Sequence, residues 1–200
     1  MLVVVGGQAH GIGKTAVVAG LIGALPEAGW TAVKITPHSH RARSRAAYIL
    51  TQELNPGSRT DSARYLAAGA RRSFWLRATV GQLGQAVPAL ELILETSPNA
   101  IFESNSVLEF FRPELYLLVL DFSVQDFKES SRRFLNRAHA LVVIESSAAT
   151  PRNLAGKPCF PVKPPDYTSA ALAAFVRARL SSRTARQAAK ALHIRRGAGF

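Results

Sequence analysis

The sequence predicts a doubly wound α/β domain, with a mainly parallel sheet and helices on both faces. Short apolar runs alternate with segments of helix length along most of the 200 residues. Several runs, such as Leu2–Val5 and Leu115–Asp121, are apolar on both faces. That pattern is typical of strands buried in a parallel sheet that helices cover on both sides. The length fits one such domain.

Seven short apolar segments bounded by turn residues are predicted strands. They are Leu2–Val5, Thr31–Ile35, Ser73–Arg77, Ala100–Glu103, Leu115–Asp121, Ala140–Glu145 and Pro158–Val162. The predicted helices are Lys14–Ala24, Asp61–Ala70, Gly81–Thr96, Val124–Arg137, Tyr167–Leu180 and Thr184–Leu192. The stretch Thr36–Thr60 holds two prolines and an Asn-Pro-Gly turn. We therefore expect it to be irregular and to carry a functional loop.

Composition limits the class of protein. An apolar fraction of 48% with 19% charged residues excludes a disordered chain. No apolar run reaches the roughly 18 residues of a membrane span, and no basic segment precedes the first strand, so we expect neither a membrane anchor nor a signal peptide. The single cysteine, Cys159, excludes an internal disulfide. A chain without an internal disulfide fits a reducing compartment, so we expect a cytoplasmic protein. We also expect Cys159 to be buried and inert.

The net charge of +12 is concentrated near the end of the chain. Seven Lys or Arg and no acid lie between Arg177 and Phe200. We therefore expect a single domain over residues 1–180 and a basic tail over 181–200. A solvated tail is the favoured interpretation, and nucleic acid is not an expected partner of the domain. RNA or an acidic protein surface stays the alternative for the tail.

A glycine-rich turn between the first strand and the first helix is the strongest signal of function. It ends in Gly13-Lys14-Thr15, where backbone N–H groups and the helix N-terminus can hold a phosphate. Lys14 is expected to reach the β- and γ-phosphates, and the Thr15 hydroxyl to ligate Mg²⁺. The spacing departs from G-x-x-x-x-G-K-[ST], because Gln8 stands where a glycine is expected and Gly7 comes one residue earlier. The predicted nucleotide contacts are Gly11, Ile12, Gly13, Lys14, Thr15 and Ala16.

The loop Gly7–Thr15 resembles that of the P-loop class that includes dethiobiotin synthetase, nitrogenase iron protein and partition ATPases. Ile12 stands before Gly-Lys-Thr, as a Val or Ile often does in that class. The position of the class's signature lysine, which crosses a dimer interface, is Gly7 here. The resemblance implies a P-loop NTPase fold and a Mg²⁺-bound ATP or GTP, and it allows a homodimer.

A second segment, Asp61–Ala70, resembles the molybdopterin-guanine dinucleotide biosynthesis accessory protein B family. There, an Asp-Ser-x-Arg-aromatic start runs into an Ala-Gly-Ala end, as it does here. Lys34–His40 is similar to the His-rich stretch that follows a lysine in that family, whose acidic strand end corresponds to Glu103-Ser104-Asn105. This resemblance covers roughly residues 1–110. It implies a divergent relative that assists molybdenum-cofactor guanine dinucleotide biosynthesis as a weak NTPase.

Acids at strand ends are candidates for the metal. Glu103 ends a short buried strand, and P-loop proteins bind Mg²⁺ through an acid in that position. We therefore expect Thr15 and Glu103 to hold the metal, and Lys14 and Glu103 to be the catalytic residues. Asp121 ends another strand, where it either assists or caps a helix starting near Val124.

A second ligand, a phosphorylated small molecule such as molybdopterin, is expected beside the nucleotide. Asp61 or Ser62 can cap a helix and leave N–H groups free in its first turn, and these groups with nearby arginines suit an anion. The predicted second-ligand residues are His38, His40, Asp61, Ser62 and Arg64. The supporting arginines are Arg41, Arg43, Arg45, Arg71 and Arg72. A metal site of His10, His38 and His40 is a weaker alternative.

Other functions stay open on the sequence. One alternative is a ligase or kinase like dethiobiotin synthetase, in which Lys128 grips a carboxylate or phosphate. Another is a non-enzymatic adaptor gated by nucleotide. The choice between ATP and GTP is also open. Asp166 can accept from a guanine N1–H, but we favour Asp166 as the N-cap of a helix that begins at Tyr167.

Overall fold

A mainly parallel sheet forms the centre of the structure. The structure is a computed structural model, and it describes residues 1–38, 46–145, 153–154 and 156–182. Its strands are β1 (Leu2–Gly7), β2 (Thr31–His38), β3 (Tyr48–Glu53), β4 (Arg72–Thr79), β5 (Ala100–Glu103), β6 (Leu115–Leu120), β7 (Ala140–Ile144), β8 (Asn153–Leu154) and β9 (Lys157–Val162). Their order is β3-β4-β2-β5-β1-β6-β7-β9-β8. The strands pair in parallel from β4 to β9, whereas β3 and β8 run antiparallel at the two edges.

Helices cover both faces of the sheet. They are α1 (Lys14–Ala24), α2 (Asp61–Ala67), α3 (Val87–Glu95), α4 (Glu129–Phe134) and α5 (170–182). Side chains alternate along β1: Val3 and Val5 face the core that includes α1 and α5, and Leu2 and Val4 face the core that includes α3 and α4. This arrangement confirms the predicted doubly wound α/β sheet, since a strand apolar on both faces needs a helix layer on each.

One strand lies where the sequence predicts an irregular stretch. β3 falls within Thr36–Thr60, and that expectation is wrong in part. The strand YILTQE lies at the edge of the sheet, and only Tyr48 and Leu50 pack against the core. An edge strand with one polar face carries a weak apolar signal, so the pattern resembles a loop.

Three predicted helices are shorter than expected. α2 ends at Ala67 and is followed by Gly69, which has a positive φ of 103°. The segment predicted as Gly81–Thr96 is a 3-10 turn, Leu83–Ala86, followed by α3. The segment predicted as Val124–Arg137 is helical only from α4 to the 3-10 turn Leu135–Arg137.

The last helix begins three residues later than predicted. Ser169 caps α5, because its Oγ accepts from Leu172 N at 3.2 Å. Asp166 instead forms an isolated bridge with Lys163, so its predicted role as the N-cap is wrong. The helix crosses the predicted domain boundary at residue 180, and the division into domain and tail stays a prediction. His40, the three arginines 41, 43 and 45, and the predicted helix Thr184–Leu192 lie outside the described residues, as does the side chain of His38.

Among the described residues, no helix has both the length and the apolar character needed to cross a membrane.

Two glycines of α1 test how this helix packs on the loop before α5. Gly20→Ala is expected to lower the free energy of unfolding by about 1–3 kcal/mol. Its Cβ would lie 2.1 Å from Thr168 Oγ1 and 3.0 Å from Thr168 Cβ. Gly23→Ala is the matched control, because its Cβ meets only the Ala68 carbonyl, at 3.7 Å. The control is expected to be stabilised by about 0.5–1 kcal/mol through helix propensity. Urea unfolding measures both, and equal shifts would contradict the described packing.

Candidate functional site

The loop between β1 and α1 has the backbone of an anion-binding turn. Gly11 and Gly13 have positive φ values of 68° and 92°, which favour glycine. A Cβ on Gly13 would also lie 2.5 Å from the Tyr167 ring. The first turn of α1 contains no acidic residue, and among the described residues no side chain caps it. Its N–H groups and the positive end of its dipole are therefore available to an anion.

Side chains from two other segments clamp the start of this loop. Asn105 Nδ2 donates to Gly7 O and Asn105 Oδ1 accepts from Gly7 N, both at 2.9 Å. Ser131 Oγ donates to the same Gly7 carbonyl at 2.6 Å. A side chain on Gly7 would collide with Ile12 and Lys14, each at 2.7 Å. Asn105 thus serves to hold the loop.

Gln8 holds the loop against the segment between β6 and α4. Its buried amide donates to Val124 O at 2.6 Å and accepts from Asp121 N at 3.0 Å. The Gln8 backbone carbonyl accepts from Lys128 N at 2.9 Å. Two backbone groups of the non-helical segment 124–128, Val124 O and Lys128 N, thus pair with Gln8. The Asp121 carboxylate accepts from Ser123 N and Oγ, so it caps no helix.

The buried carboxylate of Glu103 is the centre of the site. Its Oε2 accepts from Thr15 Oγ1 at 2.8 Å and from the hydroxyl of Tyr65. Its Oε1 accepts from Lys34 Nζ at 2.5 Å. Burial, and then the charge of Glu103, raise the pKa of Tyr65 well above its usual value, so the phenol stays a donor. The predicted pair of Thr15 and Glu103 is therefore brought together, with two partners that the sequence did not indicate.

Lys34 links this carboxylate to α2. Its ammonium lies 2.8 Å from Asp61 Oδ2 and 3.1 Å from Thr15 Oγ1, and its side chain is only 13% exposed. Asp61 also pairs loosely with Arg64, at 3.7 Å. Four cationic or anionic side chains, contributed by β2, α2 and β5, thus meet beside the first residues of α1.

Two further lysines make the entrance to the site electropositive. Lys14 Nζ donates to the Ala9 carbonyl at 2.9 Å, and burial lowers the pKa of this lysine, against the opposing effect of Glu103. Burial, and next the charge of Lys14, lower the pKa of Lys128 to about 8. His10 has a lowered pKa for similar reasons, burial first and then Lys128. An anion bound in the cavity would offset the mutual repulsion of these cations.

A single cavity of about 1160 Å³ joins these groups. It extends from the glycine-rich loop across the carboxyl ends of β2, β4 and β5, which is where ligands bind in parallel α/β sheets. Its charged lining comprises His10, Lys14, Lys34, Asp61, Arg64, Glu103, Glu109, Asp126 and Lys128. Beyond Lys34 the lining becomes apolar, with Pro37, Val80, Leu83 and Phe110.

The structure supports only part of the predicted second-ligand site. Asp61 and Arg64 line the cavity. Ser62 does not, because its buried hydroxyl lies 3.2 Å from Glu53 Oε2 and its carbonyl accepts from Ser73. The helix cap is Thr60, which accepts from Ala63 N, so the expectation that Asp61 or Ser62 caps α2 is wrong.

Arg71 and Arg72 are wrong as supporting residues. Both lie at the N-terminal end of β4, whereas the cavity lies at the carboxyl ends of the strands. Arg72 donates to the Thr96 carbonyl and to Ser97 Oγ. The described residues contain no group of three His, Cys, Asp or Glu side chains able to hold a metal ion, and the predicted histidine cluster involves side chains outside them. Cys159 is buried, as expected.

Two solved structures share this fold. One is LpxK from Aquifex aeolicus in complex with ATP, at 18% identity and a TM-score of 0.51, covering 80% of this chain and 53% of that one. The other is HypB from Helicobacter pylori in complex with nickel, at 14% identity and a TM-score of 0.51, covering 90% of this chain and 87% of that one. The chain thus spans about half the length of that LpxK chain. The likeness confirms the predicted doubly wound α/β fold.

No protein-family model matches the chain, and no curated protein matches it in sequence. The closeness to the molybdenum-cofactor accessory family therefore stays a prediction, based on Asp61–Ala70.

A pair of buried tyrosines tests whether Glu103 depends on its partners. Tyr65→Phe removes a donor from a buried carboxylate, and we expect it to lower the free energy of unfolding by about 1.5–3 kcal/mol. Tyr116→Phe is the matched control, because the buried Tyr116 hydroxyl has no hydrogen-bond partner among the described residues. That change is expected to be neutral or stabilising. Urea unfolding in metal-free buffer measures both, and similar losses would contradict the described role of Tyr65.

Proposed function

We propose that this chain binds Mg²⁺ with ATP or GTP and hydrolyses the nucleotide or transfers its γ-phosphoryl group. One observation carries the proposal: Lys14 and the uncapped start of α1 face the same cavity as the Thr15–Glu103 pair. Lys14 and the start of α1 would form a phosphate site, and Thr15 and Glu103 would supply the hard oxygen ligands that Mg²⁺ prefers. The complex of LpxK with ATP supports a nucleotide on this fold.

Each group has a physical task in such a reaction. The loop N–H groups and the Lys14 ammonium stabilise charge on the β- and γ-phosphates, and their fixed positions in a largely buried site strengthen that effect. Thr15 and Glu103 are the residues that would hold Mg²⁺. When bound, Mg²⁺ would neutralise charge that develops on the transferred phosphoryl group. Lys128 also lines the cavity and adds a further cation to it.

The size of the cavity supports a second ligand. Sites for one small molecule commonly measure about 300–1,000 Å³, and this cavity is larger. A phosphoryl acceptor between Asp61, Arg64 and the apolar end would suit a small-molecule kinase or ligase. The narrower role in molybdenum-cofactor biosynthesis rests on the sequence resemblance alone. Molybdopterin is therefore one of the ligands whose binding to the wild type should be measured. A nucleotide site without turnover would favour the adaptor alternative.

Replacement of Lys14 tests the phosphate site. Lys14→Ala is expected to weaken ATP and GTP binding by about 100-fold or more, because a buried charge-assisted contact is worth roughly 2–5 kcal/mol. Lys163→Ala, which removes an exposed lysine outside the cavity, is the control. Isothermal titration calorimetry with and without Mg²⁺ measures both. If Lys14→Ala leaves both affinities unchanged, the P-loop proposal fails.

The pH dependence of binding tests Lys128. Its pKa of about 8 means that the cation is lost as the pH rises through 8. Affinity for ATP should therefore fall by about 3- to 10-fold between pH 7.5 and 9, the value of one partly screened charge. Lys128→Met should bind more weakly at pH 7.5 and show a flatter profile. If the ATP affinity of Lys128→Met falls equally steeply with pH, the titrating group is not Lys128.

A further inference from the structure

Lys34 occupies a position that the Mg²⁺ proposal leaves unexplained. Its ammonium contacts Glu103 Oε1 at 2.5 Å and Thr15 Oγ1 at 3.1 Å, the two side chains assigned to the metal. It also pairs with Asp61 at 2.8 Å. A dication bound by Thr15 and Glu103 would share a carboxylate with this ammonium, and two cations at that separation repel strongly away from bulk water.

We infer that Lys34 is an internal counter-cation, which holds the metal-binding pair while no metal is bound and leaves Glu103 when Mg²⁺ binds. The inference rests on the proposed function, since it needs a divalent ion at Thr15 and Glu103. It assigns Lys34 as a positioning residue that couples loading of the metal to a rearrangement at the end of β2.

Lys34 is the partner of Glu103 that can leave. Tyr65 is fully buried and neutral, and Thr15 is fixed in the first turn of α1, so both can stay beside a metal ion. Lys34 is the charged donor, carried on a flexible four-carbon stem. Asp61, which is 40% exposed at the cavity, already pairs with this ammonium at 2.8 Å and can retain it after it leaves Glu103.

The exchange explains how a buried carboxylate can be kept ready for a metal. Glu103 is 2% exposed, and a carboxylate so buried is costly without a cation. Lys34 supplies that cation in the absence of Mg²⁺. Metal alone must displace it, whereas metal with a nucleotide brings phosphates into the cavity that Lys34 lines. Metal binding should therefore be weak without nucleotide and stronger with it.

A Mn²⁺ titration followed by electron paramagnetic resonance, without nucleotide, tests the exchange. Lys34→Met removes the competing charge and keeps the length of the side chain, so we expect it to bind Mn²⁺ at least tenfold more tightly than the wild type. Lys163→Met, an exposed lysine away from the cavity, should leave the affinity unchanged. Adding Glu103→Gln to Lys34→Met should abolish the gain. Equal or weaker Mn²⁺ binding by Lys34→Met would overturn the inference.

A second measurement covers the case in which Lys34→Met fails to fold because Glu103 loses its cation. Wild-type protein is labelled with an amine-acetylating reagent, with and without MnCl₂, and the lysines are quantified by mass spectrometry. Mn²⁺ should increase acetylation of Lys34 and leave that of Lys163 unchanged. No change at Lys34 at a Mn²⁺ concentration that protects the protein against thermal unfolding would overturn the inference.

The outcome is distinguishable from failure of the proposed function. Calorimetry of the wild type with ATP and GTP, each with Mg²⁺, is measured in parallel. If neither nucleotide binds, the proposed function fails. If a nucleotide binds but Lys34→Met gains no affinity for Mn²⁺, only the counter-cation inference fails.

Discussion

One buried carboxylate ties together the elements on which the site depends. Glu103, at the end of β5, accepts hydrogen bonds from Thr15 of α1, Lys34 of β2 and Tyr65 of α2. Each partner satisfies a charge that would otherwise be costly to bury, so the three elements are held in one arrangement. Because Thr15 directly follows Lys14, the same contacts also set the direction in which α1 presents its first turn. The proposed phosphate-binding and metal-binding halves of the site are therefore one hydrogen-bonded unit.

A second network holds the other end of the glycine-rich loop. Asn105 and Ser131 bind the backbone of Gly7, and Gln8 pairs with residues on both sides of the turn after β6. The loop is thus held at Gly7 by side chains from elsewhere in the chain and at Gln8 by its own buried amide. Among the described residues no side chain caps the start of α1, so its first N–H groups stay available in the cavity that residues 11–16 line. A rigid loop of this kind loses little conformational entropy when it binds phosphate.

The sequence predicts the fold and the loop well, because both leave local signals. Apolar runs such as Leu115–Leu120 identify buried strands, and Gly13-Lys14-Thr15 identifies the glycine-rich turn at the start of α1. Lys34 and Tyr65 carry no such signal as partners of Glu103. A lysine in a strand and a tyrosine in a helix are ordinary residues until the fold brings them to the same carboxylate. Gln8 carries no such signal either, because in the sequence it shows only as a departure from the G-x-x-x-x-G-K-[ST] spacing. Its buried amide donates to Val124 O and accepts from Asp121 N, and local propensity at Val124 does not reveal contacts with a residue so distant in sequence.

The central place of β1 in the sheet has a consequence for how the chain folds during synthesis. Its neighbours are β5 and β6, so Leu2 pairs with Ala100 and Val3 with Leu115. Translation at about 5–20 residues per second delays those partners by roughly 5–20 s. Until then an apolar strand with two open edges is exposed to any other unfolded segment or chaperone. Contacts this distant in sequence also slow folding of the finished chain. The arrangement that places the glycine-rich loop at the centre of the sheet therefore delays the native pairing of β1, and nascent chains should be most prone to aggregate before residue 115 has emerged.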